Sequence, residues 1–272
     1  MFKIKALYFK NALGGLCFKS SIAILLFIFF CITSWTLRLD SLPGLHGDEA
    51  WSGLMADNFD RQGVNQITGM NNYTGILQAI AAKLTFDWFS VSVFNLRLAG
   101  VVFNVAGLLI ICGKLRYNQT QALLFFLLIA GQSVLLMTTP RVAWEVNTFT
   151  LFFSSLLYIS IFKIVERPSF EKKRWIVLFL MINLIGSYNH LIFSSISASL
   201  FIGFFLWSIY YNSDRYNKWI WLLLINLFNQ STLFLMMKYS QGQFVYPIAI
   251  LLVAIVLLII IQTSLLIRYQ NS

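Results

Sequence analysis

Residues 96–113 read LRLAGVVFNVAGLLIICG and contain a single charged side chain, that of Arg97. A helix that crosses the hydrocarbon core of a bilayer needs about 20 mostly apolar residues. Comparable runs occur along most of the chain, and we predict eight spans, near 20–37, 96–113, 120–138, 146–163, 175–189, 191–210, 219–237 and 244–267. Only residues 186–190 separate the fifth run from the sixth, so one bent segment is the alternative there.

The composition of the whole chain agrees with this interpretation. Of its 272 residues, 58% are hydrophobic, 17% aromatic and 11% charged, values that exclude a water-soluble domain of this size. We therefore predict an all-α polytopic membrane protein whose residues 1–272 form a single membrane domain. No small-residue cleavage site follows Trp35, so we expect the first span to remain as an anchor. The three cysteines lack CxxC spacing and indicate neither a disulfide framework nor a metal site.

The charged residues divide unevenly between the two ends of these spans. With the N-terminus inside, 14 of the 20 Lys and Arg residues fall on the inner side, and seven of the ten acidic residues fall on the outer side. Short loops rich in Lys and Arg stay in the cytoplasm, which places residues 114–119, 164–174 and 211–218 inside. The net charge of +10 then describes a face next to anionic lipid, and we predict no nucleic-acid partner.

The outer loop, residues 38–95, is the only sizeable region between spans. Turn-forming residues occupy its middle, from Gly63 to Gly75, and separate two stretches that we predict to be surface helices. The first begins around Ala50 after an acidic N-terminus, which the helix dipole favours. The second covers Ile76–Phe89 and has apolar residues spaced to lie on the membrane surface.

Two adjacent acids, Asp48 and Glu49, stand out in this loop within the stretch HGDEAW at 46–51. The loop holds five of the ten acidic residues of the protein in its first half, at positions 40, 48, 49, 57 and 60. A hydrated helix N-terminus would account for such a pair without any function, since acids there are stabilised by the dipole. A catalytic role is the other interpretation, and it is the one that we favour.

The chain resembles the glycosyltransferase C superfamily, in particular protein O-mannosyltransferases and bacterial lipid A aminoarabinose transferase-like enzymes. The resemblance covers most of residues 35–165. It rests on Gly47-Asp48-Glu49-Ala50, Tyr73-Thr74-Gly75, Asn95-Leu96-Arg97-Leu98-Ala99 and Thr139-Pro140-Arg141-Val142-Ala143. Members of the superfamily are usually longer, with more helices and often a soluble C-terminal domain.

The resemblance implies transfer of a sugar from a polyprenyl-phosphate donor to a hydroxyl acceptor on the outer face of a bacterial inner (plasma) membrane. In this scheme Asp48 is the general base that takes the acceptor's proton. Glu49 orients the acceptor or adjusts the protonation of Asp48 through charge repulsion. No cofactor is required. A divalent cation held by His46, Asp48 and Glu49 is conceivable chemically, but two distant histidines indicate no zinc site.

The leaving polyprenyl phosphate gains negative charge, so cations near the outer surface would stabilise the transition state. Arg97 and Arg141 are the candidates, because a guanidinium can bind two phosphate oxygens. Snorkelling to lipid head groups is the alternative for both, and an ion pair with Glu145 is a further one for Arg141. We also expect substrate contacts from Lys83, Tyr73, His190 and His46, although Lys83 could face water and His190 could simply cap a helix.

Two other classes of function remain open at this stage: a transporter or flippase for lipid-linked sugars, and a non-catalytic relative that only binds them. Transporters usually place ionisable residues near the middle of the bilayer. Here the charges gather at the outer surface, which favours chemistry there over transport.

Overall fold

The computed structural model describes residues 21–239 except 65, 72, 119, 167–168 and 212–215. Across these residues the secondary structure is helical apart from two isolated β-bridges, Thr68 with Gly75 and Thr74 with His190. The helices are α1 (Ser21–Thr36), α2 (Gly47–Gln62), α3 (Leu77–Trp88), α4 (Val93–Asn118), α5 (Thr120–Gln132), α6 (Val134–Thr138), α7 (Glu145–Glu166), α8 (Ser169–Asn189), α9 (Ile192–Tyr211) and α10 (Tyr216–Tyr239). The all-helical prediction is thus confirmed for this part of the chain.

Two of these helices are long and apolar enough to cross a membrane, Val93–Arg116 in α4 and Glu145–Val165 in α7. A third span results if the bent pair Ala122–Gln132 and Val134–Arg141 is counted as one. Three more apolar stretches are shorter: Ser21–Thr36, Ile192–Gly203 and Leu222–Leu235. The prediction of eight spans is therefore not confirmed, and its last segment, 244–267, lies outside the described residues.

Helices α4 and α7 pack against each other closely through the glycines of α4. A Cβ atom added at Gly107 would lie 3.0 Å from the backbone of Leu151, so only glycine allows this approach. Beside it, Asn104 Nδ2 donates to the carbonyl oxygen of Asn147 at 2.9 Å. At the far end of the same pair, Lys114 Nζ lies 4.5 Å from the ring centre of Phe162. The two helices therefore run in the same direction, as the predicted topology requires.

The predicted span 120–138 is broken at Ser133. The axes of its two halves differ by 68°, because the Ser133 side chain accepts a hydrogen bond from Leu136 N at 3.2 Å and begins a new helix there. Trp35 Nε1 of α1 donates to the carbonyl oxygen of Leu136 at 3.1 Å and fixes the second half, α6, in place. Such breaks are tolerated in membrane proteins where the bent backbone is covered by protein or lines a cavity.

Helices α8 and α9 form a hairpin whose turn lies at His190 and Leu191. Residues equally far from the turn meet: Asn183 hydrogen-bonds with Ser197, and the rings of Phe179 and Phe201 are 6.3 Å apart. The alternative of one bent segment is therefore wrong.

Helices α2 and α3 correspond closely to the two helices predicted for the outer loop. The apolar residues of α3 do not all face outward, because Ile76 packs with Met55 and Ala79 in a small core. Leu84, Trp88 and Phe89 remain exposed at the end of α3. Only this end of the second helix presents the apolar surface that we predicted for membrane contact.

Candidate active site

The first turn of α2 directs its two acids to different surroundings. His46 is the N-cap residue, and its Nδ1 accepts a hydrogen bond from Asp48 N at 3.2 Å. In return, the backbone N–H of His46 donates to Glu49 Oε2 at 3.0 Å, which completes a capping box. As a result Glu49 is fully buried, whereas the Asp48 side chain keeps 24% of its surface exposed.

Glu49 forms a two-pronged ion pair with Arg97 of α4. Arg97 Nε donates to Glu49 Oε1 and Nη2 donates to Oε2, both at 2.8 Å. The backbone N–H of Ala143 is a second donor to Oε1, at 2.6 Å, so the carboxylate accepts four hydrogen bonds with that from His46 N. Burial by itself would raise the pKa of Glu49, but these hydrogen bonds and the charge of Arg97 outweigh it and hold the pKa below its ordinary value.

The remaining N–H groups of Arg97 fix the loop between α1 and α2. Nη1 donates to the carbonyl oxygens of Leu39 and Pro43 at 2.9 Å each, and Nη2 also donates to Gly44 O at 3.3 Å. All five N–H groups of the guanidinium are thus taken by protein oxygens, and the side chain has no exposed surface. The expected phosphate contact of Arg97 finds no support in this geometry, because a phosphate would have to displace one of these acceptors.

The expected role of Glu49 changes for the same reason. A buried carboxylate that already accepts four hydrogen bonds cannot bind an acceptor substrate, and Arg97 neutralises the charge that was to act on Asp48. Its contacts make Glu49 a positioning residue. It ties the turn that carries Asp48 to α4 and, through Ala143, to the start of α7.

Glu145, the buried first residue of α7, is a second acid in this region. The charge of Asp48 acts on Glu145 through space, and no hydrogen bond joins the two among the described residues. His46 borders the same place, with its ring 5.6 Å from that of Trp144. Because His46 Nδ1 accepts a hydrogen bond it carries no proton there, so its 3.8 Å contact with Asp48 Oδ2 is not an ion pair in this tautomer.

We had considered Glu145 only as an ion-pair partner of Arg141, and that pairing is wrong. Residue 141 ends a 3₁₀ turn and Glu145 begins α7, so the two do not share a helical face. Within the described ranges no ion pair joins them. An acid at the start of an apolar span was the signal that could have marked Glu145, since intramembrane acids tend to be functional.

Arg141 instead binds the C-terminal end of α1. Its Nη1 donates to Ser34 O at 2.8 Å, and its Nη2 donates to Leu37 O at 2.7 Å and to Leu42 O at 2.9 Å. Free carbonyls and the dipole at a helix C-terminus both favour a cation. Arg141 also lines a cavity, so a contact with phosphate stays a prediction for this residue.

Tyr73, in the loop between α2 and α3, contacts His190 in the turn between α8 and α9. Their rings meet edge to face at 5.5 Å, and His190 Nδ1 accepts a hydrogen bond from Ile192 N at 3.1 Å, capping α9. Burial lowers the pKa of His190. The adjacent Asn189 donates from Nδ2 to Glu145 O at 2.7 Å, which connects this turn to the carboxylate pair.

Two buried polar atoms near the backbone of Glu145 have no hydrogen-bond partner among the residues described. The hydroxyl of Thr148, one turn along α7, and the amide oxygen of Asn189 are buried and have no hydrogen-bond partner in the described part of the chain. A buried polar atom without a partner is uncommon and is often explained by a ligand or an ordered water.

Lys83 lies apart from this group. It pairs with Asp60 of α2 at 2.9 Å and with Asp87 one turn further along α3. Its hydrogen bonds to Asp87 and Asp60 raise the pKa of Lys83. The contacts tie α2 to α3 and give no support to a substrate contact.

No group of three or more metal-binding side chains occurs among residues that the structure describes. Comparison of the chain with models of known families, with curated proteins and with solved structures found no match.

Proposed function

We propose that this protein is a membrane glycosyltransferase that moves a sugar from a polyprenyl-phosphate donor to a hydroxyl acceptor on the outer face of the membrane. The observation that supports it is the division of the acid pair. Glu49 is locked into the fold by Arg97, while Asp48 stays partly exposed on the same rigid turn. Stabilisation of the helix dipole requires only solvated acids, and it does not require that one of them be buried in an ion pair.

Asp48 acts as the general base of this reaction. As the acceptor oxygen attacks the anomeric carbon, its proton passes to a carboxylate oxygen of Asp48. The bond between that carbon and the phosphate oxygen breaks, and the polyprenyl phosphate leaves with the bonding electrons. A base must be held within hydrogen-bond reach of the proton that it takes, and the His46 cap and the Glu49–Arg97 pair provide this rigidity.

Glu145, Thr148 and Asn189 provide the polar side of the site. A sugar or a hydroxyl acceptor needs hydrogen-bond partners when it leaves water, and the unpaired polar atoms of Thr148 and Asn189 near the start of α7 suit that need. We assign these residues, together with Glu145, to binding of hydroxyl groups.

The test compares Asp48→Asn with the wild-type protein and with Asp57→Asn as the matched control. Asp57 lies on the same helix, its side chain is 40% exposed, and within the described ranges its one ion pair is with Arg61 at 3.6 Å. Purified proteins receive radiolabelled polyprenyl-phosphate hexoses or pentoses and hydroxyl acceptors from membrane extracts. We expect Asp48→Asn to lower transfer by about 100- to 10,000-fold, since Asn cannot take the proton. We expect Asp57→Asn to transfer at the wild-type rate.

A transporter for lipid-linked sugars is the second candidate, because the break between α5 and α6 is a feature of transport proteins. Transport needs no base at position 48, and Asn is a good residue near a helix N-terminus. Movement of a fluorescent lipid-linked sugar across vesicles by both wild type and Asp48→Asn, without sugar transfer by either, would favour this candidate.

A further inference from the structure

The side-chain amide of Gln78, in the first turn of α3, lies in the interior of the protein. The residue is 1% exposed, and neither its Nε2 nor its Oε1 has a hydrogen-bond partner in the part of the chain that the structure describes. An amide buried without hydrogen bonds costs free energy, and an apolar side chain at this position would avoid that cost. A polar group kept at a cost to stability is typical of a residue that serves binding.

The face of α3 that carries Gln78 is turned toward α4 and α7. Further along this face, Ala81 shares a buried cluster with Phe149 of α7. Thr85 Oγ1 donates to Asn95 O of α4 at 2.8 Å. Residues three and seven positions apart lie on the same face of a helix, so Gln78 is directed into the space that these helices share.

Two more buried polar atoms without partners among the described residues belong to helix ends that are bonded to the start of α3. They are the hydroxyl of Thr148 on α7 and Oδ1 of Asn189 at the end of α8. Asn189 Nδ2 donates to Glu145 O at 2.7 Å, and Asn189 O accepts from Gly75 N, two residues before α3, at 3.1 Å. Hydrogen bonds therefore join the three elements that carry the unpaired groups.

The three side chains are neutral and together offer both donors and acceptors. Gln78 Nε2 donates, Gln78 Oε1 and Asn189 Oδ1 accept, and the Thr148 hydroxyl does both. A hydroxyl group of a ligand matches this set, because it also donates and accepts. A phosphate offers acceptors alone and would leave the two amide oxygens without partners.

We propose that Gln78 is a specificity-determining residue whose amide binds one hydroxyl group of the substrate. The inference rests on the proposed function for the identity of that substrate. Both the transferred sugar and the acceptor carry hydroxyl groups, and the experiment separates these two sources. A site built to bond a hydroxyl rejects an analogue that lacks it, because the polar groups of the site are then left unpaired.

Thermal unfolding of the substrate-free protein in nanodiscs tests whether the fold leaves the amide unpaired. Asn104→Leu is the matched control, because Asn104 is similarly buried but its Nδ2 donates to Gly100 O at 2.8 Å and to Asn147 O at 2.9 Å. We expect Gln78→Leu to raise the melting temperature by about 2–4 °C and Asn104→Leu to lower it. A melting temperature of Gln78→Leu at or below the wild-type value would show that the amide is already satisfied without substrate, and would overturn the proposal.

Binding of substrate analogues by the same full-length protein identifies the hydroxyl group. Farnesyl phosphate esters of hexoses and pentoses represent the donor, and methyl glycosides of the same sugars represent the acceptor. Each probe is compared with its singly deoxygenated analogues. We expect removal of one hydroxyl group to weaken binding to the wild type about tenfold, as for a hydrogen bond left unmade, and to leave binding to Gln78→Leu unchanged.

The class of probe that shows this pattern identifies the donor sugar or the acceptor as the source of the hydroxyl group. An equal loss of affinity in both proteins, or no loss in either, would overturn the proposal. The expected pattern of binding without sugar transfer would leave this inference standing and count against the proposed activity alone.

Discussion

Arg97 and Arg141 lie at the same end of the helix bundle and both donate to backbone carbonyls between residues 34 and 44, but they differ in burial and in having an acidic partner. Arg97 is buried, faces a carboxylate and has all five N–H groups occupied by protein. Arg141 faces carbonyl oxygens, borders a cavity and has no acidic partner in the described part of the chain. From the sequence alone the two had been given the same role.

The difference shows that the partner of an arginine, more than its position, decides what it can bind. All N–H groups of Arg97 are bonded within the fold, so Arg97 affects the chemistry only indirectly, by fixing the position of Asp48. Arg141 has four of its five N–H groups on backbone carbonyl oxygens but no carboxylate opposite its charge among the described residues, so it stabilises the end of α1 without an ion pair. Substitutions at the two arginines should therefore lower stability by different amounts.

Arg97→Met should lower the free energy of unfolding by about 3–5 kcal/mol, because it leaves Glu49 buried without its cation. Chemical denaturation in detergent micelles measures this loss. The double variant Glu49→Leu with Arg97→Met should be more stable than Arg97→Met alone, since it also removes the stranded charge. A double variant that loses the sum of both single effects would show that the pair is not coupled as the structure indicates.

Glu49→Gln should cost less, about 1.5–3 kcal/mol, because Gln keeps one acceptor for Arg97 but loses the charge. Its effect should also depend on pH. The pKa of Glu49 lies below its ordinary value in the fold, so the ion pair stabilises the protein fully above the unfolded pKa of about 4.3 and the stabilisation is lost as the pH falls through the folded pKa. The difference in the free energy of unfolding between wild type and variant, measured by denaturation over a pH series, should therefore narrow as the pH falls below the unfolded pKa. A constant difference at every pH would contradict the assignment.

Arg141→Met should cost about 1–2 kcal/mol, the range for a cation at a helix C-terminus. Arg141→Lys should recover only part of this, since a single ammonium cannot reach the carbonyls of Ser34, Leu37 and Leu42 together. Thermal unfolding in nanodiscs compares the two variants. Equal stability of Arg141→Met and the wild type would mean that the contacts to α1 contribute nothing.

Local sequence patterns predicted the helices well wherever a pattern determines the structure. The acids at 48 and 49 indicated the start of α2, and the apolar spacing from Ile76 located α3 to within one residue at each end. The break at Ser133 was missed because the apolar run continues through it, and only the side-chain cap on Leu136 N reveals the bend. Hydropathy averages over a window and does not register a single capping residue.

The candidate site depended on contacts that sequence spacing does not contain. Glu49 and Arg97 are 48 positions apart, and the charge of Asp48 acts on Glu145 almost 100 positions further along the chain. One physical argument could have predicted the pair of Glu49 with Arg97 from the sequence. An arginine near the start of an apolar span needs an acidic partner. Most of the acidic residues predicted on its side of the membrane lie in the outer loop.

The central claim is that Asp48 serves chemistry and Glu49 serves structure, and a paired measurement of transfer and stability tests it most directly. Asp48→Asn and Glu49→Gln are purified in parallel, and each is assayed for sugar transfer per folded molecule and for its free energy of unfolding. We expect Asp48→Asn to unfold within about 0.5 kcal/mol of the wild type and to lose transfer by at least about 100-fold. Glu49→Gln should be less stable than the wild type. Its rate of sugar transfer per folded molecule should be far higher than that of Asp48→Asn. Transfer at the wild-type rate by folded Asp48→Asn would contradict this account.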